Sequence, residues 1–267
     1  MARLFTVTEQ ERQTLIVGEG ENARLIAYRA SSKGESSGPG FFWLSGFMSD
    51  MGSTKATALI DWAEKRGRGA TLFDYSGHGA SSGRFVDGTI GRWLDEAVAV
   101  FKSATQGEQI IVGSSMGGYI ALLLLRRLMR YDPSAARRIK ALLLIAPAWD
   151  MTEELMWKQF DANARAEIEA RGYFERPSAY DAPYTISRAL IEDGRAHLLA
   201  RQPFDPGRPV VILQGRLDED VPIEHTRELT GFLTGGHTKL IEVADAGHRL
   251  SRPQDLDLLF SELEKLS

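Results

Sequence analysis

Six short apolar runs alternate with segments of helical periodicity, and this alternation restricts the fold more than any other feature of the chain. The runs are Phe41 to Leu44, Ala70 to Phe73, Gln109 to Val112, Ala141 to Ile145, Val210 to Leu213 and Leu240 to Val243. Nearly every position in them is apolar, so both faces of each strand must be covered, as in a parallel sheet flanked by helices. Residues 53–66, 89–104, 116–131, 223–234 and 252–266 repeat apolar side chains at helical spacing. Strand and helix in turn predict an α/β fold with a doubly wound, mostly parallel sheet. Residues 23–30 alternate apolar and polar side chains and read as an edge strand. The Gly- and Ser-rich stretch 31–40 that follows reads as a connecting loop.

The alternation fails once, between Pro147 and Pro209, where helical patterns continue but no strand-like run occurs. This predicts a core built from residues 1–147 and 208–267, with residues 148–207 inserted as a small helical cap. Trp149, Met151, Met156, Trp157 and Phe160 are apolar anchors in the insertion. They serve either to pack it on the body or to line a pocket beneath it. Met156 and Trp157 are the candidates for substrate contact.

Composition narrows the function classes. A formal charge of -4 and a pI near 5.8 supply no positive field for a phosphate backbone, so nucleic acid is not an expected partner. The absence of Cys removes disulfides, thiolate metal sites and Cys nucleophiles together. No metal site or cofactor is expected. Apolar runs such as Ala121 to Leu125 are too short to span a bilayer. The first residues, MARLFTVTEQERQ, resemble neither a signal peptide nor a transit peptide, so a cytoplasmic protein with no integral membrane association is expected.

The pattern GxSxG, which can present a serine hydroxyl on a strained strand-to-helix turn, occurs three times, centred on Ser36, Ser81 and Ser115. Context separates them. Ser36 lies in the Gly/Ser loop, and Ser81 is followed by no helical pattern until about Thr89. Ser115 alone has a buried-strand pattern directly before it (Gln109 to Val112) and a helical one directly after it (Met116 onward). The glycines fit a place where strand and helix backbones approach closely, and the serine itself must hold an unfavourable φ/ψ.

A serine hydroxyl needs a base and an orienting acid, which in folds of this type follow the serine in the order acid, then His. Of five histidines, His78 precedes Ser115 and His197 lies in the insertion. His225 sits in a helical pattern and His237 precedes a strand, and both read as surface residues. His248 occupies the loop after the last strand, at a strand's carboxyl end, where open α/β sheets place their sites. The acid belongs in the loop after Val210 to Gln214, where Asp218, Glu219 and Asp220 compete and spacing chooses none. A carbonyl under attack also needs two N–H donors for its oxyanion. The residue after the nucleophile, Met116, offers one, and Phe47 in Ser45-Gly46-Phe47 offers the other.

With Ser-Gly-Phe (45–47), GSSMGG (113–118), GRLDEDVP (215–222) and AGHRL (246–250) in this order, the chain resembles the α/β-hydrolase superfamily over nearly its whole length. The superfamily pattern HGxxDxxVP, laid on residues 214–222, selects Asp218, with Gln214 in place of the leading His. The resemblance thus implies a catalytic triad of Ser115, Asp218 and His248 with an oxyanion hole at Phe47 and Met116. More narrowly, residues 52–56, 73–83, 112–119 and 184–199 are similar to mitochondrial abhydrolase-domain palmitoyl-protein thioesterases and acyl-glucuronide esterases. This implies a serine hydrolase acting on small-molecule or lipid-acyl esters or thioesters through an acyl-enzyme.

Three alternatives are weighed against it. A broad-range carboxylesterase shares the same triad. A non-catalytic binding protein of hydrolase fold would typically lack part of that triad. A nucleotide-binding oxidoreductase is suggested by Gly77 to Gly83, but no acidic residue ends the next strand as such a site requires. Arg188 and Arg195 read as surface salt-bridge formers, with a grip on a substrate carboxylate as the alternative.

Overall fold

In the computed structural model, which describes residues 12–31, 38–176, 184–199 and 202–267, each of the six apolar runs is a strand and each of the five periodic segments a helix. The chain runs through β1 (Gln13–Val17), β2 (Arg24–Ala30), β3 (Gly40–Leu44), α1 (Thr54–Glu64), β4 (Ala70–Phe73), α2 (Ile90–Ala104), β5 (Gln109–Ser114), α3 (Met116–Tyr131), a short α4 (Pro133–Arg137) and β6 (Ile139–Ile145). An intervening segment holds α5 (Ala162–Arg171), β7 (Tyr173–Arg176), β8 (Tyr184–Ser187) and α6 (Arg188–Gly194). The chain then closes through β9 (Val210–Gly215), α7 (Ile223–Phe232), β10 (Thr238–Val243) and α8 (Pro253–Lys265).

Eight strands form one sheet in the order β1-β2-β4-β3-β5-β6-β9-β10. From β4 to β10 every neighbouring pair is parallel, while β1–β2 and β2–β4 are antiparallel. Within β3, Phe41 and Trp43 pack with Leu59 and Trp62 of α1 and Leu259 and Leu263 of α8. Phe42 and Leu44 face the other way, into Trp93 and Phe101 of α2 and Tyr119 of α3. Consecutive apolar residues are therefore needed because both faces are core, and each such side chain stabilises by about 1.5–3 kcal/mol.

Two expectations are corrected. Residues 23–30 do not form the sheet edge, because β1 pairs outside β2, register Leu15 to Ile26. The pattern of β1 is weak because Ile16 is 67% exposed, so its apolar residues do not report burial. The intervening segment is not purely helical: β7 and β8 make an antiparallel hairpin, Phe174 opposite Ile186. Four-residue strands are too short to show a period.

From β3 the chain moves outward to β4, whereas from β5 it moves the opposite way to β6. The loops leaving β3 and β5 thus part from one another, and a crevice opens over the carboxyl ends of the strands.

Candidate active site

The turn from β5 to α3 is built by its glycines. A Cβ on Gly113 would lie 2.4 Å from the Gly117 carbonyl oxygen, and one on Gly117 would lie 2.0 Å from that of Leu44. Only hydrogen fits at either place. Between them Ser115 holds φ 55° and ψ -118°, a conformation that a side chain rarely adopts. It is pinned by its N–H donating to the Ile145 carbonyl (2.8 Å) and by its own carbonyl accepting from Gly118 and Ala148 (2.9 and 3.1 Å). Other non-glycine residues at positive φ flank the same crevice: Met48 after β3, Ala146 and Asp150 after β6, and Leu250 just past His248.

The loops after β9 and β10 are held together at Gly215, where a Cβ would meet the Ala246 carbonyl oxygen at 2.3 Å. Leu217 N–H donates to that same carbonyl (2.9 Å). This contact brings three distant residues into line: the His248 Nδ1–H points to Asp218 Oδ2 at 2.9 Å, and His248 Nε2 lies 3.0 Å from Ser115 Oγ. The carboxylate accepts only, so it fixes the proton on Nδ1 and leaves Nε2 free to accept from the serine hydroxyl.

Asp218 is the acid in contact; no bond joins Asp220 to the imidazole, and Asp220 is exposed. Asp218 Oδ1 accepts from the N–H groups of Asp220 (3.0 Å) and Val221 (2.8 Å), and Oδ2 accepts from Gln214 Nε2 (3.0 Å). Gln214, fully buried, also donates to the Val221 carbonyl and accepts from Thr226 Oγ1. The role of Gln214 in fixing the acid was visible in the sequence only as a departure from the usual His.

Among the described residues, the N–H groups of Phe47 and Met116 have no partner. Met116 opens α3, where the first N–H groups have no intrahelical acceptor. Gly46 lets the Phe47 loop lie over the serine, since a Cβ there would be 3.3 Å from Ser115 Cβ.

A cavity of about 520 Å³ opens beside Ser115 and His248. Met151, Leu155, Met156 and Ile186 give it an apolar wall from the intervening segment, while Lys55, Arg176 and Asp220 stand on its polar side. Burial pushes the Lys55 amine down to about 8, against the attraction of Asp255, and its Nζ donates to the Arg249 carbonyl. Met156 lines the cavity. Trp157 does not: the π-helical turn ends at Met156, Trp157 begins a 3-10 turn, and its ring packs with the guanidinium groups of Arg165 and Arg195, at 5.2 and 4.9 Å.

Arg195 pairs with Glu153 at 3.0 Å, whereas Arg188 binds the backbone carbonyls of Ile168 and Glu169, and neither lines the cavity. His225 is not a surface residue. It is buried under Trp149, ring centroids 4.5 Å apart, and the two exchange hydrogen bonds with each other's carbonyls (2.7 and 2.8 Å). Trp149 and Phe160 therefore pack rather than line.

Of the other two GxSxG serines, Ser36 lies outside the described residues. Ser81 Oγ accepts from the Ala27 N–H and donates to the Asp74 carbonyl, and Ser82 Oγ accepts from the Leu25 N–H. They extend the β2–β4 pairing where β4 has ended. The Gly77 to Gly83 turn leads to a short turn at Phe85–Asp87 and not to a helix start. One group among the described residues has metal-ligand character, Asp218, Asp220 and His248. Its Asp218 oxygens and both imidazole nitrogens are already engaged in the hydrogen bonds above. No helix of the described residues is long and apolar enough to cross a membrane.

The model of the alpha/beta hydrolase family matches residues 38–257. Palmitoyl-protein thioesterase ABHD10, mitochondrial, of Homo sapiens is 28% identical over 245 residues, covering 90% of this chain and 76% of that protein. A presumed hydrolase of Agrobacterium vitis S4 has 43% identity and a TM-score of 0.92, covering 96% and 98% of the two chains. Alpha/beta hydrolase domain-containing protein 10 from mouse has 26% identity and a TM-score of 0.80, covering 95% and 98%.

Proposed function

From the premise that this chain belongs to the alpha/beta hydrolase family, we propose that it is a serine hydrolase of acyl esters or thioesters, working through an acyl-enzyme on Ser115. The observation that carries the reading is the continuous line from Asp218 Oδ2 through His248 to Ser115 Oγ, at 2.9 and 3.0 Å. Ser115 Oγ attacks the acyl carbon as His248 Nε2 takes the hydroxyl proton, and Asp218 stabilises the resulting imidazolium. The carbonyl oxygen becomes an oxyanion held by the Phe47 and Met116 N–H groups. As the tetrahedral species collapses, His248 returns the proton to the leaving alcohol or thiol. Water then attacks the acyl-enzyme with His248 again as base, releasing the carboxylic acid and restoring the serine.

Residues 148–207 act in this reading as a cap over the crevice of a core formed by 1–147 and 208–267. The cap supplies Met151, Leu155, Met156 and Ile186, which suit an acyl chain. Thioesters take first place among substrates because the relative of Homo sapiens carries palmitoyl-protein thioesterase in its name. A fluorophosphonate probe should label Ser115, Ser115→Ala should abolish both labelling and turnover, and acyl thioesters should be cleaved faster than matched nitrophenyl esters and acyl glucuronides. Labelling at Ser36 or Ser81 would overturn the assignment.

A further inference from the structure

We propose that His78, buried and outside the Ser115–His248–Asp218 line, is a positioning residue that holds the oxyanion loop in place. The inference rests on the role given above to the Phe47 N–H.

The loop after β3 carries Phe47 and then turns sharply at Met48, whose φ of 54° is unfavourable for a side chain. Within the loop the turn is closed by the Ser49 N–H donating to the Gly46 carbonyl (3.2 Å). The ring of His78 ties it to the body from outside: its Nε2 lies 3.2 Å from the Met48 nitrogen and its Nδ1 3.2 Å from the Ser76 carbonyl oxygen. These partners settle the tautomer. A backbone N–H can only donate, so Nε2 is bare; a carbonyl can only accept, so Nδ1 carries the proton. The ring is thus a strut from the loop after β4 to the peptide bond joining Phe47 to Met48. Its neutral form suits the task, because burial lowers its ionisation more than the Ser76 carbonyl and the Asp50 charge raise it.

The strut is itself fixed. His78 packs edge-on against Phe85 and Trp93, with centroids 5.1 and 5.3 Å away, and Phe47 packs against the same two rings at 4.9 and 6.0 Å. Trp93 Nε1 also donates to the Ser76 carbonyl (3.2 Å). Further along, the Asp74 carboxylate ties the two loops again, accepting from the N–H groups of Met51 (2.7 Å) and Ala80 (2.8 Å). Gly79 is required beside it, since a Cβ there would lie 2.2 Å from Asp74 Oδ2. Without the His78 bond the strained Met48 would be held by the Ser49–Gly46 turn bond alone, and the adjoining Phe47 N–H would no longer be fixed at the place where the oxyanion forms.

Two substitutions separate this role from packing. His78→Asn keeps a donor near the Nδ1 position but cannot reach Met48, whereas His78→Gln can place an amide oxygen where Nε2 stands. With an acyl thioester substrate, His78→Asn should lower kcat about tenfold or more with KM within about twofold, and His78→Gln should stay within about threefold of the parent. Hydrogen exchange read without substrate should show the Met48 amide losing protection in the Asn variant only. Equal losses in both variants, a loss confined to KM, or an unchanged Met48 amide would overturn the proposal. Failure of the parent protein to take a fluorophosphonate at Ser115 would instead overturn the serine-hydrolase reading, and with it the oxyanion role of the loop.

Discussion

Replacing Asp218 by Asn exchanges one oxygen for an NH2 group, and the surroundings of the side chain decide the consequence. Oδ1 receives two backbone N–H groups, from Asp220 and Val221, at 3.0 and 2.8 Å. The amide oxygen of the substituted side chain must therefore take that side, which puts its NH2 at the place of Oδ2. There it meets the His248 Nδ1–H at 2.9 Å and Gln214 Nε2 at 3.0 Å, both donors. Gln214 cannot turn to help, since its oxygen is held by Thr226 Oγ1 at 2.7 Å. The imidazole escapes by moving its proton to Nε2, and Ser115 then faces a donor where it needs a base. Loss of the correct tautomer costs about 10⁴-fold in kcat, or about 5.5 kcal/mol. The donor conflict at Gln214 adds about 1–3 kcal/mol of lost stability. KM should hardly move, because Asp218 does not line the cavity. Steady-state kinetics on an acyl thioester, with Asp220→Asn in parallel, provides the measurement; the Asp220 variant should keep kcat within a few fold. An inactive Asp220 variant beside an Asp218 variant within tenfold of the parent would refute the reasoning.

Gly117→Ala drives a Cβ to 2.0 Å from the Leu44 carbonyl oxygen, a backbone atom that cannot step aside, so urea unfolding should show a loss of about 3 kcal/mol or more. Met156→Ala should shift kcat/KM toward longer or bulkier acyl chains by about tenfold in a chain-length series, while Trp157→Ala lowers stability and leaves the preference unchanged. Lys55 titrates at about 8 when folded and 10.5 in a free chain, so between those values the unfolded state binds more protons and stability rises with pH, by up to ~3 kcal/mol. Melting temperatures of the parent protein and Lys55→Met, compared at pH 7 and 9.5, should show the parent gaining on the variant at the higher pH; a constant difference would refute it.

The alternating runs were enough to set the sheet, because a strand covered on both faces must be apolar at consecutive positions, as Phe41 to Leu44 are. The same local logic picked Ser115 from three matching serines: a turn between a buried strand and a helix is written in adjacent residues. It also left His248 at a strand's carboxyl end. Other features depended on what the chain meets far away. Asp218 and Asp220 are two residues apart in one loop, and the choice between them by side-chain contact comes from the close approach of the β9 and β10 loops at Gly215 and Ala246. Met156 and Trp157 are neighbours of the same character, yet one lines the cavity and the other packs with two arginines, because the π-helical turn ends at Met156 and a 3-10 turn begins at Trp157. His225 and His78 look like ordinary polar residues until Trp149 covers the one and Phe85 and Trp93 enclose the other. Periodicity records whether a position is buried along its own element; the partner that gives a buried polar group its task comes from a different loop or element, 30 residues away for His78 and Met48 and 76 for His225 and Trp149, and only the folded chain supplies it.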